Sequence, residues 1–221
     1  MRITALLLAF GNVAFAQSGS VRNAADIIIP PALPSQASGF LLTSPSVGPA
    51  ELAPGSLAVI DTYATGSLQP GAMSPTVSVR PVGTATPIAA QVLATDLNTI
   101  TFVVPKEAPI GPAQLIYRQA GDVTQWVEIA IVPARFALFR SGTPGPARAQ
   151  MINPNGSAPL NGLAAPVRTG QVVVLWGSGL GATAPGDIGV SLGGVPQPVV
   201  YAGPSGSLPG IDQINFRVTS W

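Results

Sequence analysis

The chain contains no cysteine and no histidine. The first absence excludes a disulfide framework, a thiolate nucleophile and sulfur ligation of a metal. The second removes the commonest general base at neutral pH and the commonest metal ligand, and with them any Ser-His-Asp triad. Charge is scarce as well: charged residues make up 9% of the chain and the net charge is +1, so no basic patch exists to neutralise phosphates, and nucleic-acid binding is not expected. Long apolar runs are also lacking. Pro or Gly interrupts nearly every apolar stretch, and none reaches the about 20 residues that a membrane-spanning helix needs.

What remains is an apolar chain with frequent breaks. Hydrophobic residues make up 47%, enough to build a core despite the low charge. At the N-terminus Arg2 precedes the apolar run Ile3–Phe10, and Ala14-Phe15-Ala16 offers small residues ahead of Gln17. This is the pattern of a secretory leader over residues 1–16, and it predicts a mature protein that is secreted or held at the cell surface. Downstream, 25 glycines and 24 prolines separate short runs of Val, Ile, Thr and Phe, which predicts an all-β architecture of many short strands. One segment competes: Ile88–Val104 lacks both breakers, and Ile88, Val92 and Leu97 could line a helix. The alternation at Ile100, Phe102 and Val104 favours strands there, with a turn at Thr95–Thr99.

The stretch VVVLWGSGLGATAPGD, Val172–Asp187, contains Gly177, Gly179 and Ala182 in the spacing of a dinucleotide-binding loop. The context is missing. Pro185 and Gly186 follow at once, with Gly189, Gly193, Gly194, Pro196 and Pro198 behind them, so no helix can start there to receive a pyrophosphate. No acidic residue lies between Asp187 and Asp212 to take a ribose. The sequence therefore predicts no nucleotide and no other cofactor. Val172–Trp176 reads as a strand buried on both faces, and Gly177, Gly179 and Gly181 as a turn needing positive φ or close backbone approach. Ser178 reads as a turn residue, since no helix follows to make a nucleophile elbow.

The chain repeats itself. Pro54-Gly55 and Thr169-Gly170 each precede a strand; Val77 and Val79 match Val190 and Leu192; Pro87-Ile88 matches Pro198-Val199; and Ile100, Phe102 and Val104 match Ile214, Phe216 and Val218. The offset stays close to constant across four strands, as a duplicated unit requires. The residues SVRNAAD (Ser20–Asp26), LAPGSLAVI (Leu52–Ile60), PARFALF (Pro133–Phe139), AQMINPNGSAPL (Ala149–Leu160), VVVLWGSGLG and LGGVPQPVVYAGPSGSLPGIDQINFRV (Leu192–Val218) resemble a repeat found on secreted proteins of environmental bacteria. That repeat is the Ig-like, IPT/TIG-related family. The resemblance implies two tandem early-set Ig-like β-sandwich domains and no established active site. It departs at Asp61–Gly66, where the first copy lacks the glycine-rich turn, and at Thr219, where the pattern has Pro. The expected organisation is a leader at 1–16, an N-terminal segment at 17–48, a first sandwich at 49–139, a junction and linker at 140–166, and a second sandwich at 167–221. Leu115–Tyr117 and Trp126–Val132 should form the closing hairpin of the first copy. The second copy shows no counterpart before Trp221, which predicts either a truncated second sandwich with an unpaired strand edge, with further domains of a longer chain possible, or a second sandwich that closes by some other means.

Candidate site residues are few. The nine acids, Asp26, Glu51, Asp61, Asp96, Glu107, Asp122, Glu128, Asp187 and Asp212, mostly neighbour turn formers, and no pair is marked for acid–base work. Asp96-Leu97-Asn98 and Asp212-Gln213-Ile214-Asn215 supply oxygen ligands, but no calcium loop pattern surrounds them. An Asx turn before Ile100 and a side-chain cap on the strand at Ile214 account for them, so no metal site is expected. Among the aromatics, Trp126 and Trp176 are expected in the core, Tyr201 over one end of the second sandwich, and Tyr63 as the candidate ligand contact. Met151 and Ile152 are expected to pack on the second domain. The sequence thus points to a non-enzymatic structural, spacer or adhesive module whose partner is a surface protein or a glycan. A carbohydrate- or ligand-binding accessory module of a larger secreted enzyme is the alternative.

Overall fold

Breakers every few residues keep the extended segments short, and a chain with so many turn formers buries its apolar side chains by stacking strands. A computed structural model describes residues 3–6, 21–23, 50–61, 75–96, 99–118, 124–139, 149–162, 165–206 and 208–219. Among the described residues the protein is all-β, with a single 3-10 turn at Pro185–Asp187 and no α-helix. In chain order the strands are β1 (Ile3–Leu6), β2 (Val21–Asn23), β3 (Ala50–Leu52), β4 (Leu57–Asp61), β5 (Thr76–Pro81), β6 (Ile88–Thr95), β7 (Thr99–Val103), β8 (Gly111–Arg118), β9 (Thr124–Ile131), β10 (Ala137–Leu138), β11 (Ala149–Ile152), β12 (Val172–Ser178), β13 (Ile188–Leu192), β14 (Val195–Gln197), β15 (Val199–Pro204) and β16 (Asp212–Arg217).

The first half is one eight-stranded sheet in the order β2-β4-β7-β6-β5-β8-β9-β3, and its end strands β2 and β3 approach each other so that the sheet nearly closes into a barrel. Two separate layers were expected here. The sheet stays continuous because β6 serves both sides: Ile88–Ala90 pair with β5, Gln91–Thr95 pair with β7, and a register shift between Val92 and Ala94 turns the strand from one to the other. A bulge bends and twists a strand in this way without breaking its pairing. Strands form on both sides of the competing segment, β6 and β7, so the helical reading of Ile88–Val104 is set aside. The expected hairpin is present as β8 and β9, paired over eight residues. Leu52, Ile60, Val79, Ile100, Phe102, Val104, Leu115, Ile129 and Ile131 form the buried core between the walls.

The second half places β10-β12-β16-β15, with β11 also on β12, across from the three strands β1-β13-β14. Val173, Leu175, Ile188, Val190, Ile214, Phe216 and Val218 fill the space between them. Within 140–166, β11 joins the sheet by pairing with β12; Met151 is buried, whereas Ile152 is exposed. In the full chain β1 pairs in parallel along the edge of β13 facing away from β14, where β8 runs antiparallel beside β5 in the first half. β1 lies within the leader pattern, so cleavage ahead of Gln17 would leave that edge bare. The remainder of the leader pattern, Arg2, Leu7–Phe10 and Ala14–Gln17, lies outside the described residues.

Each half repeats the same hydrogen-bonded junction within itself. Gly55 N–H donates to Val104 O at 3.0 Å and Val104 N–H to Ser56 O at 2.8 Å; Gly170 N–H donates to Val218 O at 2.7 Å and Val218 N–H to Gln171 O at 2.9 Å. Gly55 and Gly170 both sit at positive φ, 76° and 90°. A side chain at that backbone angle is strained, which explains why glycine stands at both positions.

Candidate functional site

The glycine stretch after β12 is a site of close packing. The segment Pro133–Leu138 runs down the flank of β12: Arg135 N–H donates to Gly179 O at 2.8 Å, Ala137 and Leu138 pair with Ser178 and Gly177, and Phe139 N–H donates to Trp176 O at 2.9 Å. A Cβ on Gly177 would collide with the Ala137 carbonyl and the Phe136 ring, one on Gly179 with the Arg135 carbonyl, and one on Gly181 with the Pro133 carbonyl. Gly179 and Gly181 also have φ of 95° and 59°. The glycines are therefore required by the neighbouring backbone, and the Pro-Ala-Arg-Phe segment is the neighbour.

Ser178 ends β12 fully buried. Its Oγ accepts the Leu57 N–H of β4 at 2.8 Å and donates to Gly210 O at 2.7 Å, so one hydroxyl joins the first half, the second half and the loop before β16. With its acceptor and donor roles both filled, this hydroxyl bridges the two halves. Around it Leu57, Val59 and Val103 of the first half pack on Phe139 and Ile211, with Trp176 and Leu208 at the margin. Gly210, at φ 74°, presses against Leu57 and Val103; a Cβ there would lie 3.1 Å from a Val103 methyl and 3.2 Å from the Leu57 amide. The halves thus meet through an apolar cluster bridged by the buried Ser178 hydroxyl. The Glu51–Arg135 ion pair at 3.4 Å lies outside this cluster, exposed on both sides, where such pairs add little.

Asp212 opens β16 beneath the glycine turn. Its Oδ2 accepts the Gly179 and Leu180 N–H groups at 2.8 and 2.9 Å. Burial pushes this carboxyl above its usual range; the two backbone hydrogen bonds and the Lys106 ammonium pull the other way. The expected role was a cap on its own strand at Ile214. The observed role is a cap on the turn 33 residues earlier, which sequence reading could not find because the partners are distant. Asn215 Oδ1, its companion in the calcium reading, is buried without a partner, and Asn98 lies outside the described residues. Among the described residues no group of three or more acids gathers that could hold a metal.

The aromatics divide differently from expectation. Trp176 is half-buried at the junction, its Nε1 donating to Gln150 Oε1 at 2.6 Å. Tyr201 donates its hydroxyl to Pro204 O at 2.7 Å and stays exposed. Trp126, expected in the core, is 58% exposed. The reason is the period of two along β9: Ile129 and Ile131 face the core with Val127 packed against it, which turns Trp126 and Glu128 outward. Trp126 pairs across the ladder with Ile116, and Glu128 with Gln114. Tyr63 and Trp221 lie outside the described residues.

No family model, curated protein or solved structure matches the chain.

Proposed function

We propose that the protein is a non-enzymatic exported module of two tandem Ig-like units, akin to IPT/TIG repeats, that serves as a structural, spacer or adhesive element at the cell surface or outside the cell. The observation that carries this reading is the repeated junction: Gly55, Val104 and Ser56 in one half make the same two backbone hydrogen bonds as Gly170, Val218 and Gln171 in the other. Two copies of a unit joined through Ser178 and the Leu57–Phe139–Ile211 cluster hold a fixed span, which is what a spacer requires. Export rests on the leader pattern at residues 1–16.

The test is to express the full chain with a C-terminal tag in a Gram-negative host and to fractionate the cells. The expected result is tagged protein outside the cytoplasm with Gln17 as its N-terminus. Retention of the full-length chain in the cytoplasm contradicts the reading, as does turnover of a defined substrate in a broad hydrolase screen.

A further inference from the structure

The outer face of β5, β8 and β9 carries an exposed indole ring flanked by polar side chains. Trp126 is 58% exposed, and Ile116, directly opposite it, is only 9% exposed although it is no part of the core cluster. One step along the same face stands a polar row. Glu128 is exposed on β9, Gln114 lies opposite it on β8, and Arg80 lies beyond that on β5, donating through its guanidinium Nε to Gln114 Oε1 at 3.1 Å. On the other side of Ile116, Arg118 is exposed at the end of β8.

We infer that this face binds a neutral polysaccharide of flat, equatorially linked pyranose rings, with Trp126 as the stacking platform. Three features carry the choice. The face of a pyranose bearing only C–H bonds is apolar and matches an exposed indole, which contributes a large contact area at low entropic cost. Planar amide, guanidinium and carboxylate groups grip vicinal hydroxyls two at a time, and the Arg80–Gln114–Glu128 row lies about 7 Å along the strands from the Trp126 row, two residues at 3.2–3.4 Å each. That puts the row within reach of hydroxyls on the ring next to the stacked one. Arg80 and Glu128 offset each other in the row, and Arg118 leaves the face with a single net positive charge, too little to select an acidic polymer. A protein partner would call for a contiguous apolar patch, and the ring here is flanked by polar side chains.

The inference supplies a ligand for the adhesive reading and rests on it only in that a polysaccharide is met outside the cell. Binding by the purified protein is measured without reference to export. Cellohexaose, chitohexaose and xylohexaose are titrated against the full chain with tryptophan emission and calorimetry as readouts, and maltohexaose, whose chain curves, is the comparison. The expected result is saturable binding of at least one flat oligosaccharide in preference to maltohexaose, with an emission shift that Trp126→Ala abolishes. Glu128→Ala keeps the Trp126 ring and should weaken binding roughly tenfold, the loss of a hydrogen bond or two to the ligand. It also reads the same face should Trp126→Ala fail to fold. The inference is overturned if none of the three flat oligosaccharides binds, if maltohexaose binds as well as they do, or if neither substitution changes the affinity. In each of those cases the exported spacer still stands on its own fractionation test.

Discussion

The hydroxyl of Ser178 accepts the amide of Leu57 at 2.8 Å across 121 residues of chain, in a buried setting. This bond crosses from the second half of the protein to the first. Ser178→Ala leaves the Leu57 N–H and the Gly210 carbonyl buried without their partner. It should cost about 1–3 kcal/mol of stability, read as a lower denaturant midpoint with an unchanged slope.

Asp212 separates the need for an acceptor from the need for a charge. Asp212→Asn keeps an oxygen facing the Gly179 and Leu180 amides and should be tolerated, while Asp212→Ala strands both and should cost about 1–3 kcal/mol. The pH dependence follows from the raised pKa. Between the unfolded and the folded pKa the native carboxyl holds a proton that the unfolded chain has released, so stability falls as pH rises through that window and levels off above it. Denaturation midpoints of the wild type should show this fall just above the ordinary aspartate range, and those of Asp212→Asn should lack it.

The glycine turn yields a graded series. Gly179→Ala and Gly181→Ala place a Cβ into the 133–135 backbone and strain a positive φ, and each should lower stability by more than about 1 kcal/mol. Gly186→Ala, with open space and no such φ, should be neutral or slightly stabilising. Calorimetric titration with NAD, FAD or ATP should show no saturable heat at this turn.

Ser56 supplies an opposite case. Its Oγ is buried with no hydrogen-bond partner, beside the Leu57 amide that Ser178 holds. Ser56→Ala removes an unsatisfied hydroxyl and should leave the melting temperature unchanged or raise it, since nothing polar is left unpaired by the change.

Much of the strand content was legible because proline and glycine mark the ends of strands and the alternation at Ile100, Phe102 and Val104 marks a face. The same alternation would have placed Trp126 correctly: it shares parity with Glu128 and opposes Ile129 and Ile131. Reading the residue by type in place of its position hid the exposed ring. The continuous first sheet was not legible, because it depends on the bulge at Val92–Ala94, where nothing in the residue types announces a shift. Nor were the Ser178 and Asp212 contacts, since their partners lie 121 and 33 residues away and sequence patterns report only local neighbours. The glycine motif was legible as a turn, while the identity of its neighbour, the Pro133–Leu138 segment, came only with the fold.

A spacer needs its two units held as one body, since a loose joint sets no distance. Scanning calorimetry of the full chain tests this directly. One transition is expected, with equal calorimetric and van't Hoff enthalpies, and Gly210→Val, which drives a side chain into Leu57 and Val103, should split it into two. Two independent transitions in the wild type, unmoved by Gly210→Val, would contradict the account.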